Sequence, residues 1–226
     1  MKTSSEYRAL ARETLEGRWG EMAGFTLVVM LIVMAVALVT AVPFSVVGTL
    51  NNMPWLSSTG SGLSTLVNIL FAVPLGYALY IYFLKLIRRE EMMEGNVKTL
   101  FQEFKNNWST FVVAGVLMML VVLLIMIPTL FIGAIIFSLA YGMVPYIIYD
   151  NPGIAPREAL RTSRMMMRGH KAEFFLLQLS FIGWALLCCI CPIGILWLAP
   201  YTYAAYAHFY EDVKAEYATR EEQQTA

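Results

Sequence analysis

Three long stretches of the chain contain no Asp, Glu, Lys or Arg: 63 positions between Glu21 and Lys85, 44 between Lys105 and Asp150, and 37 between Glu173 and Glu211. About 20 apolar residues cross a bilayer as a helix, so each stretch is long enough to do so at least once. Lipid leaves no water to satisfy backbone groups, so such stretches fold as helices that bond internally. Only 14% of the 226 residues are charged, against about 25% in an ordinary soluble domain. The sixteen basic and sixteen acidic residues cancel and are confined to four short segments. That leaves no aqueous domain in which a soluble active site is built, and no basic surface for nucleic acid.

The first stretch holds two helices, 22–42 and 63–84, because Pro43, Gly48, Asn51, Asn52, Pro54 and the Ser/Gly-rich residues 57–62 between them are turn formers. The second would extend roughly 66 Å as continuous helix, and two crossings need about 60 Å. Pro128 divides it into 109–127 and 129–149. The third reaches only about 55 Å by the same arithmetic. Two short crossings are expected there, reversing at Pro192 and Gly194 and leaning on flanking Lys171, whose stem can snorkel; one kinked or re-entrant segment is the alternative.

Lys and Arg near the ends of spans are retained in the cytoplasm. With six helices, all sixteen lie on one side: Lys2 to Arg18, Lys85 to Lys105, Arg157 to Lys171, and Lys214 with Arg220. The three opposite connections, around Asn51, Pro128 and Pro192, carry no charge. Both termini are therefore expected in the cytoplasm. The N-terminal region does not read as a cleaved signal peptide, since its apolar stretch is longer than the usual ~7–15 residues and four acidic residues precede it.

Each odd helix follows a short amphipathic segment. Tyr7, Leu10, Ala11 and Leu15 share one helical face, with Thr3 and Glu6 at capping-box spacing and Gly17 and Trp19 closing the segment. Val97, Leu100, Phe101 and Phe104 follow Asn96, a candidate N-cap, and end at Asn106, Asn107 and Trp108. Pro156 suits a first helical position; Leu160 and Met167 follow it, with Gly169 and His170 closing. The even helices each carry proline and tyrosines: Pro74, Tyr77, Tyr80 and Tyr82; Pro145, Tyr146 and Tyr149; Pro200, Tyr201, Tyr203, Tyr206 and Tyr210. The expected architecture is one all-α transmembrane domain over 1–226, N-in and C-in. Its six helices form three hairpins, each preceded by a cytoplasmic amphipathic helix, in repeat units 1–90, 91–150 and 151–226.

Ionisable groups at membrane depth mark function, and the expected spans hold only His208, near the cytoplasmic end of the sixth. Asn68 and Gln178 are candidates for interhelical hydrogen bonds. Cys188, Cys189 and Cys191 read as small buried apolar residues, since nothing faces them at metal-site spacing. His170 takes the place of Trp19 and Trp108 and reads as an interfacial ring. No GxSxG, Walker lysine loop or HExxH occurs, so no catalytic, cofactor-binding or metal-ligating residue is assigned and no enzyme activity is expected. The most informative polar stretch is 156–171. Arg157, Arg161, Arg164 and Arg168 fall on one helical face, followed by Lys171. Such a face attracts anionic headgroups by ~1 kcal/mol per charge, and guanidinium grips phosphate bidentately.

The chain resembles a bacterial integral membrane family catalogued as domain of unknown function 975. The carrying residues are Ala11, Arg12, Glu13, Leu15, Gly17 and Trp19, then Ala159, Ser163, Met166, Gly169 and Lys171, then the run from Leu179 to Trp184, and finally Gly194, Pro200, Tyr201, Phe209 and Tyr210. The resemblance implies a multi-pass protein of the bacterial cytoplasmic membrane, remotely similar to the membrane portion of glycerophosphodiester phosphodiesterases, and supplies no catalytic residues. The cysteine group departs from the Thr/Gly turn expected between helices five and six. The functional expectation is a non-enzymatic protein that binds membrane lipids, a membrane-protein partner or a second copy of itself at the cytoplasmic face. The alternative is a small-solute transporter or channel with a neutral polar path.

Overall fold

A computed structural model describes residues 2–52, 54–90, 96–126 and 132–225. Among them every regular element is helical. The chain opens with α1 (Ser4–Leu15), which starts at a complete capping box: Glu6 N–H donates to the Thr3 hydroxyl and Thr3 N–H to the Glu6 carboxylate. Tyr7, Ala11 and Leu15, spaced four apart, form its buried face. Gly17 at φ 75° ends it, a left-handed turn that costs other residues energy. The paired helices α2 (Trp19–Leu50) and α3 (Pro54–Arg88) follow, joined across Asn51 and Asn52.

Residues 54–62, expected as a loop, belong to α3, and Pro43 and Gly48 lie inside α2. Proline at a first helical position forfeits only an amide that has no partner anyway, so Pro54 opens α3 and the connection shrinks. The described part of the second unit comprises α4 (Asn96–Asn106), α5 (Trp108–Met126), α6 (Ile132–Tyr141) and α7 (Val144–Asp150). Helix α4 meets α5 at a bend of 73°. The expected span 129–149 is divided into α6 and α7 around Gly142 and Met143, with Pro145 in the first turn of α7. Pro128 lies outside the described residues.

The last unit contains α8 (Pro156–Met166), α9 (Lys171–Leu179), α10 (Ile182–Ile190), a 3₁₀ turn at Pro192–Gly194, and α11 (Ile195–Thr225). Pro156 opens α8 as expected, and Ala159, Ser163 and Met166 form its buried face. Gly169 at φ 97° closes that segment as Gly17 closes the first. The fifth expected span is interrupted at Ser180 and Phe181, between α9 and α10.

Among the described residues three helical stretches are long and apolar enough to cross a membrane, Trp19–Pro43, Leu70–Arg88 and Lys171–Ile190 (α9 and α10 together), and a fourth is added if the bent α4 and α5 pair counts as one span. The core between the elements is aromatic. Phe25 and Tyr82 rings lie 4.4 Å apart, Tyr80 meets Tyr146 and Tyr203 edge-on, and Tyr146 stacks on Tyr210 at 4.7 Å. The tyrosines of α3, α7 and α11, distant in sequence, thus build one column, each ring pair adding ~0.5–1.5 kcal/mol beyond burial.

The outer faces are apolar: Leu31, Met34, Leu38 and Val39 of α2 and Trp184, Leu186, Leu187 and Ile190 of α10 are all exposed. Exposed apolar area this extensive is unsuited to water and marks a surface that meets lipid or protein.

Candidate functional site

Helices α3 and α7 end beside the middle of α11, and Arg88 and Asp150 at those two ends form an ionic network with Tyr210, Glu211 and Lys214 of α11. Arg88 grips Asp150 with both terminal nitrogens, Nη1 to Oδ1 at 2.5 Å and Nη2 to Oδ2 at 2.9 Å, while its Nε donates to Glu211 at 2.6 Å. Asp150 Oδ2 also accepts from the Tyr210 hydroxyl at 2.7 Å and from Lys214 Nζ at 2.6 Å. Glu90 accepts from the Tyr149 hydroxyl, and Lys85 lies over the Tyr149 ring. Burial would raise the Asp150 carboxyl, but the bonds from Arg88, Lys214 and Tyr210 outweigh it and hold the group down at about 2. Sequence reading treats Arg88 and Lys214 only as topology signals and misses the network. The available clue is a Tyr–acid pair on each of two tyrosine-rich segments, Tyr149 with Asp150 and Tyr210 with Glu211.

The N-terminal helix is bound to the far end of the chain. Lys2 pairs with Asp212 at 2.7 Å, the Tyr7 hydroxyl donates to the same carboxylate at 2.9 Å, and Tyr7 packs edge-on against Phe209. His208 reaches Thr14 of α1, with Nε2 2.9 Å from the hydroxyl. His170 is not the interfacial ring expected of its position. It is buried, with Nδ1 3.0 Å from Glu173 and Nε2 2.9 Å from Arg220, because the end of α11 packs over it. The cysteines are not buried either: Cys188 is half-buried while Cys189 and Cys191 are exposed, since α10 runs along the outside of the bundle.

Arg157, Arg161 and Arg164 are exposed on α8, while Arg168, expected on the same helical face, lies in the turn after it because α8 ends at Met166; among the described residues the guanidinium groups of all four have no ion pair or hydrogen bond. That contrasts with Lys2, Arg18, Arg88, Lys214 and Arg220, each of which has a carboxylate partner. Two of the sequence-predicted cations converge. Arg164 and half-buried Lys171 border a cavity of about 380 Å³ walled by α5 and α6 through Val121, Ile136, Phe137 and Tyr141. A second cavity, about 400 Å³, lies between α3, α9, α10 and α11 and is lined by Gln178, Tyr80, Thr202, Tyr203 and Tyr206. Behind it the Tyr146 hydroxyl is buried without a partner among the described residues. The side chain of Asn68 lies outside the described residues. Among those described, no group of three or more His, Cys, Asp or Glu is placed to hold a metal ion.

Among the described residues these features define an all-helical protein with three helical stretches long and apolar enough to cross a membrane, arginines without a partner on and just after α8, and an ionic lock where α3 and α7 end against α11. The chain belongs to the family described as protein of unknown function (DUF975), which matches residues 1–141 and, in a second match, 115–217. No curated protein and no solved structure matches it.

Proposed function

We propose that the chain is a multi-pass protein of a bacterial cytoplasmic membrane that crosses it six times, with both termini and helices α1, α4 and α8 in the cytoplasm, and that it binds anionic lipid headgroups at Arg164 and Lys171. The reading is of a binding protein and assigns no catalytic residue. The observation that carries it is the placement of these two cations, free of carboxylate partners among the described residues, at the edge of an apolar-walled cavity. A phosphate held there is neutralised by the cations while the attached chains lie against Ile136 and Phe137. Arg157 and Arg161 on α8 and Arg168 in the turn after it add attraction at longer range.

The test is native mass spectrometry of the detergent-extracted protein titrated with phosphatidylglycerol or phosphatidylcholine. At ~1 kcal/mol per cation, replacing both residues in an Arg164→Gln, Lys171→Gln double variant weakens phosphatidylglycerol about 30-fold and leaves phosphatidylcholine unchanged. Equal binding of the two lipids by the wild type, or full retention by the variant, refutes the proposal.

The cavity lined by Tyr80, Gln178, Thr202 and Tyr203 favours a second reading, passage of a small neutral solute. That reading requires counterflow in proteoliposomes that Gln178→Leu abolishes, and inert vesicles across a broad substrate panel exclude it.

A further inference from the structure

A groove lies between α1, the start of α2, α10 and the start of α11. Its cavity is about 430 Å³, floored by α10 and the start of α11 and closed at one end by α1. Trp19, Trp184, Trp197 and Cys188 line it, and at the α1 end stand Arg12 and the ring of Tyr201. Three of the five tryptophans in the chain are gathered here, and Trp184 and Trp197 are 53% and 45% exposed. Indoles so placed are ill suited to water and well suited to acyl chains.

The α1 end is cationic and incompletely paired. Arg12 is exposed and has no ion pair among the described residues. One turn earlier Arg8 donates from Nη1 to the Ser180 carbonyl, 3.4 Å away at the helix break, while its buried Nε has no partner among the described residues. The groove thus has a charged end and an apolar length. Helix α10, its floor, has nine residues, roughly 13 Å of helix, close to one leaflet of a ~30 Å hydrocarbon core.

We infer that this groove holds one anionic phospholipid, with its phosphate at Arg12 and an acyl chain along α10 between Trp184 and Trp197. The charge at the open end selects an anion, and the apolar length selects a lipid over a soluble phosphate. The inference rests on the membrane residence of the chain proposed above, but neither on the number of crossings nor on the site at Arg164 and Lys171.

Tryptophan quenching by brominated lipid tests it. In a Trp55→Phe, Trp108→Phe background only Trp19, Trp184 and Trp197 emit. This protein is placed in phosphatidylcholine nanodiscs containing a minor fraction of lipid with dibrominated acyl chains, either phosphatidylglycerol or, as control, phosphatidylcholine. Phosphatidylglycerol is expected to quench more strongly, reflecting enrichment of about fivefold at a single cation. Arg12→Gln is expected to reduce that quenching to the phosphatidylcholine level, and Cys188→Phe, which fills the groove, to remove the excess by excluding the chain. Arg164→Gln with Lys171→Gln leaves the excess intact, which separates this site from the other. Equal quenching by the two lipids, an excess that survives Arg12→Gln, or an excess abolished by millimolar inorganic phosphate overturns the inference. Absence of quenching by either lipid overturns the membrane placement beneath it.

Discussion

Replacing Asp150 by Asn removes one negative charge at nearly constant volume, so it isolates the ionic lock from packing. In the native network Asp150 accepts four hydrogen bonds, two from Arg88 and one each from Tyr210 and Lys214. An amide keeps one accepting oxygen and turns an NH₂ group toward those donors. The carboxyl titrates at about 2 against 3.8 for the free side chain, and at ~1.4 kcal/mol per tenfold the ionised form stabilises the fold by ~2 kcal/mol. Removing one partner of a fully buried ion pair costs ~3–5 kcal/mol. The side chains here are 10% exposed for Asp150, 20% for Arg88 and 45% for Lys214, so solvent screens part of that and the lower figure governs. At ~2–4 °C per kcal/mol for a chain of this size, Asp150→Asn should lower the thermal midpoint in detergent at pH 7 by ~4–8 °C. An Arg88→Met, Asp150→Leu pair should do less harm than Asp150→Asn alone, because it leaves no arginine charge stranded. The pH dependence has a definite sign. The folded carboxyl is held below its unfolded value, so its contribution is complete above pH ~4 and is lost as pH falls toward ~2. The gap between wild type and Asp150→Asn should close over that window. A midpoint within ~1 °C of wild type at pH 7, or a gap that remains at full size at pH ~2, refutes the account of the lock.

Two further predictions concern packing and placement. A Cβ on Gly115 would stand 2.4 Å from Val73 Cγ1, so Gly115→Ala should destabilise the protein by ~1–3 kcal/mol, read as a lower thermal midpoint, and Val73→Ala should recover much of the loss. For placement, reporters fused at Asn52, Asn96 and the C-terminus should respond from the periplasm only at Asn52; an external signal at Asn96 would break the proposed orientation.

The parts of the fold that follow from local chemistry are readable in the chain. Thr3 and Glu6 form the capping box their spacing implies, Pro156 opens a helix, and α4 bends sharply into α5 at the Asn106–Trp108 boundary. Interruptions inside apolar runs are less readable, because apolar residues look alike whether or not a helix continues through them. The division of α6 from α7 and of α9 from α10 depends on what packs beside each break, and Pro54 with its polar successors extends α3 rather than forming a loop. The lock at Asp150 is illegible for another reason. Its partners are 62 and 64 residues away, and charge at a helix end already has a sufficient explanation in topology. The unpaired row on α8 is visible as a pattern, while the convergence of Arg164 with Lys171 depends on the turn at Gly169.

The attachment of α1 to α11 bears on how the chain is made. Lys2, Tyr7 and Thr14 meet Asp212, Phe209 and His208 across separations of 194 to 210 residues. Contacts of such separation close slowly, and a nascent chain cannot make them before α11 has emerged. Until then the apolar face of Tyr7, Ala11 and Leu15 has no native cover, and the Ser180 carbonyl lacks the arginine that meets it. Docking of α1 onto α11 is therefore a late step of assembly. A chain cut short before α11 would carry an intact α1 with nowhere to bind, a ready handle for quality-control proteases.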